Sequence, residues 1–348
     1  MIATTRFRSA RRAAVALLLA AAPLLAQGGG SAGDVHRVQG RVVMPRDGEA
    51  AGVPGIMVTL HRVGPDTAGP VDSMRTRADG RYEFRYRPFG AAEALYFVSA
   101  SHAGIAHFSP PLRGPLVTGD EAEVTVFDTT SRVFALTVRG RHLVVSTPAV
   151  ASGAGDASRT VIEVFEISND SMLTMVAGEG QGEHPTWTAI LPPGARNFQV
   201  GQGDISADAV SFKEGRVLVF APFAPGLKQL SFSYVLPADA VPLRIPVERK
   251  TDVLEVLLEE TQGRVTGAGL AAQGPVDAEG RTFQRFLAQN APANGVATIT
   301  LPEAKGTSRA LWIVLVALAV GVAMLIGLAR AFTRRSTATV VPRLGEDD

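Results

Sequence analysis

The 348-residue chain contains no cysteine at all. Disulfides, thiolate metal sites and thiol catalysis are thereby excluded, and an exported chain of this kind must be held by cores of adequate size. A lipid anchor on an N-terminal cysteine is excluded for the same reason. Lysine is scarce too, with four among 34 basic residues, while alanine and glycine abound; this reads as a bias of the genome rather than a functional signal. The metalloprotease pattern H-E-x-x-H is absent.

What the chain does have is one long uncharged run, Ala310 to Ala329. Twenty helical residues extend about 30 Å, the hydrocarbon thickness of a bilayer, so a transmembrane helix is expected at 310–329. Trp312 marks its upstream boundary, and Arg330, Arg334 and Arg335 follow it. The positive-inside bias therefore puts 330–348 in the cytoplasm as a short tail and everything upstream outside. At the other end, Arg6, Arg8, Arg11 and Arg12 precede the apolar run Ala13 to Leu25, the pattern of a signal peptide over 1–26 with cleavage after Ala26. An uncleaved anchor is the alternative. The expected location is the bacterial inner membrane, single-pass, with the N-terminal region periplasmic or otherwise extracytoplasmic.

Charge has to be counted for the exported part alone. Removing the four Arg of 1–26, and the four Arg and three acidic residues of 330–348, leaves 26 basic against 30 acidic residues. A net charge of −4 excludes nucleic acid as an expected partner, since phosphate binding needs a basic stripe.

Residues 35–130 read as a module of short strands. Val38, Gly40, Val42 and Met44 alternate on one face, as do Ile56, Val58 and Leu60, with Pro45 to Pro54 between them as a loop. In Met74 to Arg87, the Asp79-Gly80 pair predicts a tight hairpin turn, with Tyr82, Phe84 and Tyr86 facing inward. Ala94 to Ala100 and Ala122 to Phe127 add further strands, enough for a small Greek-key sandwich. The succession Gly40 to Val43 (GRVV), Gly52 to Leu60 (GVPGIMVTL) and Thr76 to Phe84 (TRADGRYEF) resembles the bacterial carboxypeptidase regulatory-like domain. That resemblance implies a transthyretin-like fold, grouped with carbohydrate-binding-like domains and used as an accessory or adhesive module, with no active site. The peptidase half of the namesake enzymes is missing, because none of the six histidines has a Glu three residues on.

Residues 131–302 are again strand-rich. Arg132 to Val138, His142 to Ser146, Thr160 to Ile167, Arg216 to Phe220, Leu230 to Leu236, Leu243 to Val247 and Val253 to Leu258 are the expected strands. No window longer than twelve residues holds a 3.6-residue period. The whole is expected to be all-β: the first sandwich, a larger sandwich-like domain (or two, divided near Pro237 to Pro242), and one C-terminal membrane helix.

Several constellations bear on chemistry. Gly178 to Gly182 and Gly267 to Gly269 are glycine-rich but open no helix that would hold a phosphate. His102 and His107 would share a metal only across a bend at Gly104, and Met172 with Met175 would suit copper(I) only with further ligands nearby. Glu183, His184, Asp204 and Asp208 contain the groups of an acid–base site, with nothing to bring them together. No catalytic residue, cofactor or metal is expected. The strongest surface feature is basic: Arg75, Arg77, Arg81, Arg85 and Arg87, with Glu83 among them, fall on the outward face of the expected hairpin. Such a face suits an acidic glycan, anionic lipid heads or an acidic partner, and equally a solvated strand edge.

The expectation is therefore a non-enzymatic envelope protein whose sandwiches serve as a structural, scaffolding or interaction module. The alternative is a glycan- or ligand-binding receptor working through a membrane partner. Small residues four apart in the membrane run, Ala317 and Gly321, and Ala319, Ala323 and Gly327, favour a partner subunit or a second copy of the chain. Leu301 to Lys305 (LPEAK) faintly resembles a sortase sorting signal, with Ala304 and Lys305 in place of Thr and Gly.

Overall fold

The computed structural model describes residues 34–46, 48–150, 157–179, 184–278 and 280–301. The expected signal peptide, membrane helix, cytoplasmic tail and sorting-like segment lie outside them. Among the described residues there is no α-helix, and no helix is long and apolar enough to cross a membrane.

The first module is a sandwich of two four-stranded sheets. Its strands are β1 (His36–Arg46), β2 (Glu49–Gly52), β3 (Met57–Val63) and β4 (Ala68–Arg75). They continue with β5 (Arg81–Tyr86), β6 (Leu95–His102), β7 (Ile105–Phe108) and β8 (Leu116–Thr125). In one sheet β5 and then β2 pair antiparallel along one edge of β1, while β8 runs parallel along the other. The second sheet has the order β4-β3-β6-β7. Alternation sends Val38, Val42, Tyr82, Phe84 and Val124 inward from the first sheet against Val58, Leu60, Val98 and Ala100 from the second. Each large apolar side chain so buried contributes about 1.5–3 kcal/mol.

Strands β4 and β5 do not form the expected hairpin. Gly80 does adopt the left-handed conformation (φ +81°), and Gly80 N–H donates to Arg77 O at 2.9 Å, so the turn is real. However, β4 belongs to one sheet and β5 to the other. Buried Thr76 redirects the chain between them: its hydroxyl donates to Val53 O (2.7 Å) and accepts from Ile56 N–H (2.9 Å). The expected Pro45–Pro54 loop, in turn, contains β2, which folds back on the end of β1.

The second module starts with β9 (Thr129–Thr130), β10 (Thr137–Val145), β11 (Ala149–Val150), β12 (Ala157–Asn169), β13 (Thr174–Met175) and β14 (Trp187–Ile190). There follow β15 (Arg196–Val200), β16 (Val210–Lys213), β17 (Arg216–Val219), β18 (Gly226–Pro237), β19 (Leu243–Val247) and β20 (Thr251–Leu258). It ends with β21 (Arg264–Thr266), β22 (Ala271–Ala272), β23 (Val276–Ala278), β24 (Arg281–Ala291) and β25 (Gly295–Thr300). A broad sheet runs β15-β18-β12-β10-β20-β24-β22, with β11 on β12 and β23 on β24. Two three-stranded sheets, β14-β17-β16 and β19-β25-β21, share its apolar core. One apolar cluster extends from Leu136 to Leu301 and includes both Leu236 and Leu243, so the core is continuous across Pro237–Pro242. Strand β10 begins only at Thr137; the expected strand from Arg132 is mostly a connection, in which Val133 is exposed.

Within this core sits a buried ion pair. Arg141 donates to Glu163 Oε2 through Nε (2.9 Å) and Nη2 (2.7 Å), and Tyr234 OH donates to Glu163 Oε1 at 2.7 Å. Arg141 Nη1 reaches Pro246 O, and its guanidinium lies 4.8 Å from the centre of the Phe165 ring. The pair thus ties β10, β12 and β18 of the broad sheet to β19.

Candidate functional site: an arginine-rimmed groove on the first sandwich

The outward residues of β1 and β5 face one another in register, Arg37 opposite Arg85, Gln39 opposite Glu83, and Arg41 opposite Arg81. Three polar side chains therefore converge on one carboxylate. Glu83 accepts from Arg37 Nε (3.0 Å) and Nη2 (3.1 Å), Arg85 Nε (2.8 Å) and Gln39 Nε2 (3.2 Å). These donors, Arg37 first, hold its pKa down at about 2. Arg37 and Arg85 are thereby engaged within the protein.

Beyond this cluster the face opens into a groove of about 350 Å³, within the size range of ligand pockets. Arg41, Arg77 and Arg81 form one rim, and Asp120 and Glu123 lie on the β8 side. Beneath the groove only glycine fits at position 40: a Cβ there would come within 2.1 Å of Ala122 O and 2.3 Å of the Tyr82 ring. At this point the register of β1 against β8 shifts between Gln39 and Arg41, and the Tyr82 hydroxyl, buried and with a raised pKa for that reason, donates to Ala122 O. Arg41 Nε donates to Asp79 O (3.0 Å), and Arg81 lies 3.4 Å from Asp79 Oδ2. Among the described residues no carboxylate pairs with Arg41 or Arg77, and no ion pair crosses the groove to Asp120 or Glu123. Cationic donors are thus held in a concavity with spare bonding capacity.

The five arginines expected on one face are therefore divided. Arg77 and Arg81 line the groove, Arg85 is bound to Glu83, and Arg87 is exposed beyond the end of β5. Arg75 lies on the other sheet, where its Nη1 donates to Gly55 O at 2.7 Å. Arg37, Arg41, Asp120 and Glu123 escaped the sequence reading. The first two had a signal in the sequence, since the inward set Val38, Gly40 and Val42 makes Arg37, Gln39 and Arg41 outward; which strand would lie beside them had none.

The other constellations are placed as follows. The β6–β7 hairpin does turn at Ala103-Gly104, bringing His102 and His107 to the inner side. His102 Nε2 lies 3.0 Å from Asp128 Oδ1, while His107 is buried beside Phe127 with its pKa lowered, mainly by that burial. Among the described residues no group of three or more His, Cys, Asp or Glu is arranged to hold a metal. Met175 is fully buried in the core whereas Met172 is exposed. Glu183 and residues 180–182 lie outside the described residues; His184 has no bond to Asp204 or Asp208, and Asp204 instead accepts from Gln229 N–H (2.8 Å). Gly267, Ala268 and Gly269 all have positive φ and form a tight loop before β22.

No protein-family model matches the chain, and no curated protein matches it. Among solved structures, an M1 zinc metallopeptidase from Deinococcus radiodurans aligns with 47% of this chain and 42% of its own at 12% identity and a TM-score of 0.29. Leukotriene A4 hydrolase from Saccharomyces cerevisiae aligns with 47% of this chain and 29% of its own at 10% identity, TM-score 0.26. A full-length major pilin from Corynebacterium diphtheriae aligns with 75% of this chain and 81% of its own at 9% identity, TM-score 0.18. The chain thus spans less than half the length of the two enzymes. Likenesses this distant establish neither a shared fold nor a shared activity.

Proposed function

We propose that this chain is a single-pass protein of the bacterial cell envelope, anchored by 310–329, whose extracytoplasmic sandwiches make contacts rather than break bonds. The groove on the first sandwich takes an anionic group of an envelope polymer. The observation that carries this reading is the rim of Arg41, Arg77 and Arg81, of which two lack a carboxylate partner among the described residues. An anion arriving at Arg41 and Arg77 gains charge-assisted hydrogen bonds without first breaking an internal ion pair. The four-on-four sandwich also supports reading residues 35–130 as a carboxypeptidase regulatory-like, Greek-key module, which in this reading serves as the adhesive part of the chain.

The test is chromatography of the detergent-extracted, full-length protein on a heparin-like resin. The wild type should be retained and elute with salt, and the variant Arg41→Gln/Arg77→Gln/Arg81→Gln should elute at clearly lower ionic strength. Equal retention of the two proteins, with the fold intact by circular dichroism, contradicts the proposal.

A further inference from the structure

The two small sheets of the second module do not merge. Their facing edges, β14 and β19, are separated by a seam in which side chains take the place of a strand ladder. Arg249 Nη1 donates to Thr188 O (2.7 Å), and Glu248 Oε2 accepts from Ile190 N–H (2.7 Å), so the open edge of β14 is met by two side chains rather than by backbone.

Along this seam lies a shallow depression of about 440 Å³, lined by Ile190, Pro246, Val247 and Val296 together with Glu248 and Arg249. A recess of about 10 Å³ shares Ile190, Val247, Glu248 and Arg249 with it and is also lined by Trp187 and Arg141. The recess admits one group the size of an oxygen atom. Two features of its wall are unusual for a sandwich core. Trp187 is 3% exposed, yet its indole N–H has no acceptor among the described residues, and a buried donor left unpaired is costly. Arg249, stacked 5.5 Å over the same indole, donates only to Thr188 and forms no ion pair among the described residues; burial pushes its pKa down. The other charges are occupied. Arg141 is bound to Glu163, and Glu248 is held by Ile190 N–H and lies 3.7 Å from Arg216.

We infer that this seam is a second binding site, for a carboxylate that carries an aliphatic group, as at the C-terminal end of a peptide. One carboxylate oxygen enters the recess and accepts from the Trp187 indole N–H, and Arg249 faces the anion at the neck. The aliphatic group rests on Ile190, Val247 and Val296, the last of which is 43% exposed at the mouth. The site is independent of the arginine-rimmed groove on the first sandwich and stands whether or not that groove binds anions.

The indole N–H of Trp187 reports on the site directly. The chain has two tryptophans, so a Trp312→Phe background leaves a single 15N-indole resonance in the full-length protein in detergent micelles. N-acetyl-leucine should shift that resonance saturably, and N-acetyl-leucinamide, of the same shape without the charge, should bind at least about tenfold more weakly. Arg249→Gln should weaken the acid at least about tenfold. Val296→Glu, an exposed substitution that leaves the core intact, should do the same by repelling the anion at the mouth, and it decides the matter if the Arg249 variant does not fold. If neither probe moves the resonance at millimolar concentration, the recess holds solvent only and the inference is wrong; equal responses to acid and amide overturn it as well.

Discussion

Glu163 shows how much one side chain carries in a core without disulfides. It is fully buried, and its two oxygens are taken by Arg141 and by Tyr234, whose hydroxyl has a raised pKa because of burial and this carboxylate. Replacing Glu163 with Gln leaves the Arg141 cation uncompensated, and the expected loss is about 3–5 kcal/mol, read as a fall in the urea midpoint. Glu83, with its folded pKa lowered to about 2, contributes stability that is present above its unfolded value and lost as pH falls from there through 2. His107 acts at higher pH. Its folded pKa is also lowered, so the unfolded chain takes up a proton first, near pH ~6.5, and stability falls from that point down to the folded pKa. Between pH 7.5 and 5.5 the urea midpoint of the wild type should therefore fall more than that of His107→Leu; parallel falls would show that His107 is not the group responsible.

Among the elements, Thr76 decides where the chain changes sheets. Its hydroxyl makes two bonds to the segment before β3, and Thr76→Val should cost about 1–3 kcal/mol in thermal or urea unfolding, with no effect on the second module's core. The same junction marks the limit of what the sequence reveals. Alternation gave the inward faces of β1, β3 and β5, and the turn at Asp79-Gly80 was legible from residue type alone. Nothing local distinguishes a turn that closes a hairpin from one that carries the chain to the opposite sheet, because that depends on partners distant in sequence. The groove suffered most from this: Arg77 and Arg81 were recognised, but Arg41 joins them only through the β1–β5 register, and Asp120 and Glu123 only through β8. Strand β24 was missed for a different reason. Phe283 is buried on one face of the broad sheet and Phe286 and Ala288 on the other, so the period of two disappears. Trp187 and Arg249 carry no sequence signal, being brought together across the seam by side-chain contacts to β14.

At the scale of the whole molecule, two separate apolar cores, Val38 to Val126 and Leu136 to Leu301, are joined through β9, which pairs with β13 of the second module. The absence of cysteine is thus met by two cores of substantial size. In the proposed topology both bodies lie on the outer side of a membrane crossed at 310–329, with a short hydrophilic stretch, Glu303 to Arg309, between the second body and the bilayer. Seven residues reach at most about 25 Å, so in the proposed topology the second sandwich would lie near the membrane surface. The most direct measurement is protease digestion of intact spheroplasts, followed with an antibody against the 330–348 tail. The added protease should remove the bulk of the chain and leave a membrane-embedded, antibody-reactive fragment of a few kilodaltons. A full-length band that survives in intact spheroplasts, and disappears only when they are lysed, contradicts this topology.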